Sequence, residues 1–268
     1  MISSSELSKY IRMQSIIMCS KGNSSHIGSV LSCADILSVL YSQILKINPS
    51  NPKDEYRDRF VMSKGHAGAG LYAVLSKMGF VDEKVLDTHY QNGSVLSGHV
   101  CHKNFPGIEL STGSLGHALP VSVGIALGVK LKGLKSRVFC LMSDGELDEG
   151  SNWEAFLSAA HNNLSNLIAI IDRNRLQSIE DTEKTLILEP LSTKLKSFNW
   201  EVKSIDGHNH KELKEAFEKL SSDKPNIIIA NTIKGKGVSF MENRIEWHYK
   251  SPDEDQLKMA LNEIGVML

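Results

Sequence analysis

The sequence is short of several things, and each shortage removes a class of protein. Its four cysteines (Cys19, Cys33, Cys101 and Cys140) lie far apart with no CxxC pair, which argues against a zinc knuckle or a disulfide framework and predicts reduced, mostly buried thiols. Charge of one sign is not in excess, with 30 Lys and Arg against 31 Asp and Glu. No whole-molecule field therefore gathers nucleic acid or an anionic membrane, and any anion must be met by a local site. A basic-then-apolar leader is missing, and no apolar run reads as approaching the roughly 20 residues that span a bilayer. The cytoplasm is the expected compartment. Internal repeats and low-complexity tracts are also lacking.

What is present is a chain of 268 residues, 41% hydrophobic and 23% charged, expected to form one domain over residues 1–268. Helices are predicted at 6–20, 34–45, 71–78, 115–132, 151–162, 190–198, 211–220 and 252–263, and strands at 59–62, 137–142, 167–171, 201–205 and 226–231. Residues 21–28 read as a polar loop, and 91–113 and 234–249 as long irregular connections of the kind kept for function. Strands separated by helices imply an α/β fold with an open, mainly parallel sheet and helices on both faces.

The most informative stretch is 141–177. Asp144-Gly145 ends one apolar run and Asp172-Arg173-Asn174 ends the next, so a carboxylate and a carboxamide are expected at the carboxyl ends of two buried strands, where open parallel sheets bind ligands. Gly145 lets a backbone approach a phosphate, and Glu149-Gly150-Ser151 opens a helix whose amino end attracts anions. One Asp, one Asn and a peptide carbonyl suffice for magnesium, which also binds substrate phosphates. A lone Asp-Gly is more often a turn before a helix; the paired spacing favours the metal reading, with Asn174 preferred over Asp172, which is expected to orient the loop.

Four histidines, His26, His66, His99 and His248, fall in Gly-rich or irregular segments. A single loop histidine is usually a solvated bystander, but four at expected strand ends and loops point to a site. His99, Cys101 and His102 lack a ligand repeat on one element, so zinc is disfavoured. Gly113-Ser114-Leu115-Gly116-His117 could be a plain helix start or a backbone that approaches a flat ring or a diphosphate. Glu149 and Glu154 read as first-turn acids with a possible buried role. Trp153, Trp200 and Trp247 read as packing residues.

Taken together, Ser63-Lys64-Gly65-His66-Ala67, Thr112-Gly113-Ser114-Leu115-Gly116, Ser143-Asp144-Gly145, Asp172-Arg173-Asn174, Met241-Glu242-Asn243 and Glu246-Trp247-His248 resemble the amino-terminal half of a transketolase. The resemblance spans nearly the whole chain. It implies thiamine diphosphate as cofactor with magnesium (calcium or manganese as substitutes), held by Asp144, Asn174 and the carbonyl of Leu176. It places His66, Gly113, Ser114, Leu115, Gly145 and Glu146 against the cofactor, and His26, His99 and His248 in the substrate channel as catalytic groups. Glu149 is implied in a carboxylate contact across a dimer, with Glu154 as a weaker candidate. The implied reaction moves a two-carbon ketol unit from a ketose or its phosphate to an aldose or its phosphate.

The chain's length resembles the amino-terminal subunit of a split enzyme. The cofactor-activating glutamate, the aromatic residues around the aminopyrimidine and the sugar-phosphate contacts are expected on a separate carboxy-terminal subunit, in a heterotetramer. A 2-oxoacid dehydrogenase or decarboxylase component and a non-catalytic descendant are the alternatives. Ser143, His117 and Tyr249 depart from the Gly, Gln and Gly common in the family, which leaves the shape of the channel open.

Overall fold

The computed structural model describes residues 2–103 and 105–266. Five strands, β1 (Arg59–Met62), β2 (Val138–Ser143), β3 (Leu167–Arg173), β4 (Glu201–Asp206) and β5 (Asn226–Asn231), form one sheet in the order β1-β2-β3-β5-β4. Every neighbouring pair is parallel. The helices are α1 (Ser4–Gly22), α2 (Ile27–Val39), α3 (Gly68–Lys77), α4 (Ala118–Leu131), α5 (Gly150–His161), α6 (Thr182–Thr185), α7 (Leu191–Ser197), α8 (His210–Glu218) and α9 (Glu254–Glu263).

Side chains alternate across a strand with period two, and here both faces are covered, so the central strands are apolar except at their ends. Along β3, Ile168 and Ile170 join Phe139, Leu141 and Ile228 in a core shared with α1, α2, α3 and α8. Leu167, Ala169 and Ile171 belong to the opposite core, under α4, α5 and α7. The expected α/β sheet with helices on both faces is thus the one observed.

Helix α2 departs from expectation. It begins at Ile27 and not at residue 34, within a stretch that composition assigned to a loop. Its serines bury their hydroxyls on helix carbonyls, Ser32 Oγ to Ser29 O at 3.0 Å and Ser38 Oγ to Asp35 O at 2.8 Å, so polar side chains that blur the apolar pattern behave as core ones. After Val39 the chain continues through a π-helical turn, Leu40–Ile44. The resulting span Ile27–Ile44 has mean hydropathy 1.4 over 18 residues, enough by length and composition for a membrane span, contrary to the sequence reading. Yet 89% of it is buried inside the protein, the condition of a core helix.

Candidate active site at the carboxyl edge of the sheet

Ser143 of β2 lies opposite Asp172 of β3, so Asp144 and Asn174 leave the sheet side by side. Asp144 is 1% exposed. Its Oδ1 accepts from Gly145 N at 2.8 Å, and its Oδ2 accepts from Arg175 N at 2.6 Å and from Arg173 Nη1 at 3.2 Å. Burial pushes the Asp144 carboxyl above its usual range, against the pull of Arg173 and the two N–H donors. Asn174 Oδ1 accepts from Leu176 N at 3.1 Å, which turns the loop back toward Asp144.

The two charges of β3 go to opposite faces. Asp172 takes the α2 face, where Lys64 donates to its Oδ2 in an ion pair with neither side chain exposed, and Ser32 Oγ donates to the same oxygen at 2.5 Å. Arg173 takes the other face, 1% exposed, donating to Thr182 Oγ1 and Glu183 Oε1 at 2.6 Å each and to Glu189 Oε1 at 3.1 Å. Asp172, expected to orient the loop after β3, instead commits its carboxylate to a buried pair beneath the site.

A cleft of about 240 Å³ opens above these donors, and its walls include His26, His66, His99 and His248. The ring centroid of His26 lies 5.3 Å from His66, 5.4 Å from His99 and 4.9 Å from His248. The irregular segment after β5 brings His248 here by docking on the start of α2, with Gly235 N donating to Gly28 O at 3.0 Å and His26 N to His248 O at 2.7 Å. His26 adopts φ 77°, an uncommon value for a residue other than glycine, at the point where α2 begins. Burial lowers the pKa of His26 to about 4 and of His248 to about 3, helped by neighbouring cationic groups, and depresses His66 and His99 as well. In all four the shift favours the neutral imidazole.

Sequence reasoning missed Lys234. Fully buried below the cleft, its Nζ donates to Leu176 O at 3.2 Å, Gln177 O at 2.8 Å and His248 Nδ1 at 2.9 Å. Because Nδ1 of His248 accepts, the neutral ring carries its proton on Nε2. Burial, then the nearby Lys64, brings the Lys234 pKa down to about 8. A lysine in a polar, aperiodic tail carries no signal of this position; the Gly235 and Gly237 that flank Lys236, both at positive φ, were the available hint of a tightly folded segment.

The remaining sequence candidates divide. Gly113, Leu115, Gly145 and Leu176 line the cleft. Ser114 lies on a neighbouring surface hollow with Gly113 and His117. Glu146 sits differently from its expected place against a cofactor: it is fully buried, and its carboxylate accepts from Ser63 Oγ at 2.5 Å, Gly116 N at 2.9 Å and Ser143 N at 3.3 Å. It pins the cleft walls from behind. Glu149 and Glu154 are exposed at the start of α5.

Among the described residues no three His, Cys, Asp or Glu side chains converge as a metal group. An oxygen site here must use a carboxamide and a peptide carbonyl beside Asp144, and these suit a hard divalent ion. The Leu176 carbonyl accepts from Lys234 through one lone pair and keeps a second. An oxygen-donor pocket at the carboxyl edge of a parallel sheet, with Lys234 buried beneath it, is where an open α/β domain takes its ligand.

Comparison with known proteins agrees and goes further. Residues 3–267 match the family described as transketolase, thiamine diphosphate binding domain, and the chain belongs to that family. It is 42% identical over 240 residues to one of the subunits of the apulose-4-phosphate transketolase of Actinobacillus succinogenes, covering 89% of this chain and 87% of that protein. It is 41% identical over 241 residues to a 6-deoxy-6-sulfo-D-fructose transketolase subunit of a Clostridium species, covering 89% and 88%. A crystal structure of Campylobacter jejuni transketolase superposes with a TM-score of 0.93 at 33% identity, and this chain covers 43% of its length.

Proposed function

We propose that this chain is the cofactor-diphosphate-binding subunit of a split transketolase, which transfers a two-carbon ketol unit between a ketose and an aldose, or their phosphates, once a companion subunit completes the site. The observation that carries the reading is the set of four imidazoles converging on one cleft directly above the Asp144, Asn174 and Leu176 oxygens. Sugar hydroxyls need many neutral donors and acceptors, whereas a 2-oxoacid offers a carboxylate that such a lining does not favour.

In this reading Asp144, Asn174 and the Leu176 carbonyl hold magnesium, Gly145 admits the diphosphate, and Gly113 and Leu115 form a wall for the thiazolium. When bound, thiamine diphosphate supplies the carbanionic carbon that attacks a ketose carbonyl and carries the transferred unit. Lys234, directly below the cleft, offsets the diphosphate charge together with the metal. His248 presents Nε2–H to a sugar oxygen, and His26 and His66 provide further polar contacts beside it, each able to move a proton with substrate hydroxyls. His99, at the more open edge, orients the donor's terminal hydroxyl. Glu149 contacts a carboxylate across the assembly.

Both of these relatives are named as subunits of a transketolase, which supports a separate companion and, with twofold symmetry, a heterotetramer. The outward face of α4 and α5 supports the same assembly: Leu131 is 79% and Leu157 59% exposed, and added Cβ atoms at Gly124 and Gly128 meet nothing within 4 Å. The test is to co-purify this chain with its companion, load thiamine diphosphate and magnesium, and offer ketoses, including the two named in its relatives, against pyruvate. Ketose cleavage that needs both chains, and is lost in Asp144→Ala together with cofactor binding, is expected. Failure to bind the cofactor, or turnover of pyruvate alone, overturns the reading.

A further inference from the structure

Tyr249 is a large aromatic side chain for which core packing gives no reason. It stays 63% exposed while lining the cleft. Its ring meets the imidazole of His248 edge-on at 4.9 Å between centroids, and that of His26 at 5.8 Å. The backbone beneath it is anchored: Trp247 is 3% exposed with its indole N–H donating to Phe240 O at 2.9 Å, and Tyr249 N and Lys250 N both donate to Glu246 O, at 3.2 and 2.9 Å. A fixed stem therefore carries an open ring at the cleft mouth.

The chemistry around that ring is neutral. Among the described residues lining the cleft none is Lys or Arg, and the adjacent Lys250 keeps its Nζ over the Trp247 ring, 4.8 Å from the centroid. From the described residues of this chain, an anionic end of a substrate has no cation to meet beside Tyr249. A polyhydroxylated carbon chain does have a counterpart, since its C–H face packs on an aromatic ring and its hydroxyls bond to a phenol.

We propose that Tyr249 is a specificity-determining residue that contacts the carbon chain of the sugar as it leaves the histidine-lined cleft, so that acceptors with more than a single hydroxylated carbon beyond the aldehyde are favoured over the shortest one. The inference rests on the transketolase reading. It is tested with the complex of both subunits loaded with thiamine diphosphate and magnesium, by the ratio of kcat/KM for D-erythrose and D-ribose to that for glycolaldehyde. Tyr249→Gly is expected to lower that ratio about tenfold, equal to about 1.4 kcal/mol. Tyr249→Phe keeps the ring and loses one neutral hydrogen bond, for which a loss of about threefold is expected. A near-UV dichroism titration with thiamine diphosphate verifies that the variants load cofactor. An active wild-type complex whose ratio is unchanged or raised in Tyr249→Gly overturns the inference alone; a wild-type complex inactive on every ketose overturns the transketolase reading and this inference with it.

Discussion

Asp172 and Arg173 are adjacent in sequence, yet they are neutralised on opposite faces of the sheet, Asp172 by Lys64 from far back in the chain and Arg173 by Glu183 and Glu189 from the segment that follows β3. The Lys64 and Asp172 side chains are both fully buried, and at such a site removing one charge leaves the other without compensation. Burial disfavours the charged lysine, but Asp172, with smaller help from Cys33 and Asp144, outweighs it, so the Lys64 pKa ends above its ordinary value. Lys64→Met is expected to lower stability by about 3–5 kcal/mol, while Lys64→Met combined with Asp172→Leu recovers a large part of the loss; urea unfolding of the three proteins measures both. Equal losses in the single and double variants would show that the pair is not the source. Such partnerships were beyond the sequence. Asp144 and Asn174 were legible because strand ends are readable from apolar runs, but Lys64, Arg173 and Lys234 have side chains that in sequence are indistinguishable from solvated ones, and only the packing of distant segments makes them internal.

Elements follow the same division between local pattern and tertiary context. Strands β1 and β5 lie where continuous or near-continuous apolar runs placed them, and α5, α7 and α8 fall within a residue or two of expectation. What the pattern did not supply was the start of α2, where serines do the work of apolar residues, and the joint between the loop ahead of α4 and the 3-10 turn Gly145–Asp148. Gly116 stands at that joint with φ 81°, where an added Cβ would come within 2.6 Å of Glu149 Cβ, and Glu146 accepts its N–H. Glu146→Ala strands two buried backbone donors, at Gly116 and Ser143, each costing about 1–3 kcal/mol when unsatisfied. The expected result is a loss of about 2–4 kcal/mol in urea unfolding, with weaker thiamine diphosphate binding by calorimetry although no cleft-lining side chain has changed. Undiminished affinity would show that the joint does not set the cleft walls.

For the molecule as a whole, burying neutral histidines fixes how stability responds to acid. His89 is 3% exposed, away from the cleft, with Nε2 bonded to Ser24 Oγ at 3.1 Å, and burial lowers its pKa to about 4. An unfolded chain takes up that proton near pH 6.5, so between about 6.5 and 4 the unfolded state holds more protons than the native one. The stabilisation is complete above about pH 6.5 and is lost progressively as pH falls toward the folded value, at up to about 1.4 kcal/mol per pH unit for each such group. His26, with a folded value of about 4, adds in the same direction, so the cleft and the body should weaken together in mild acid. Unfolding free energies at about pH 7.5 and about pH 5.5, a window above the carboxylate range, isolate the effect: the wild type is expected to lose stability across it and His89→Gln to lose distinctly less, whatever its stability at the upper pH. Parallel pH dependence in the two proteins would place the acid sensitivity elsewhere.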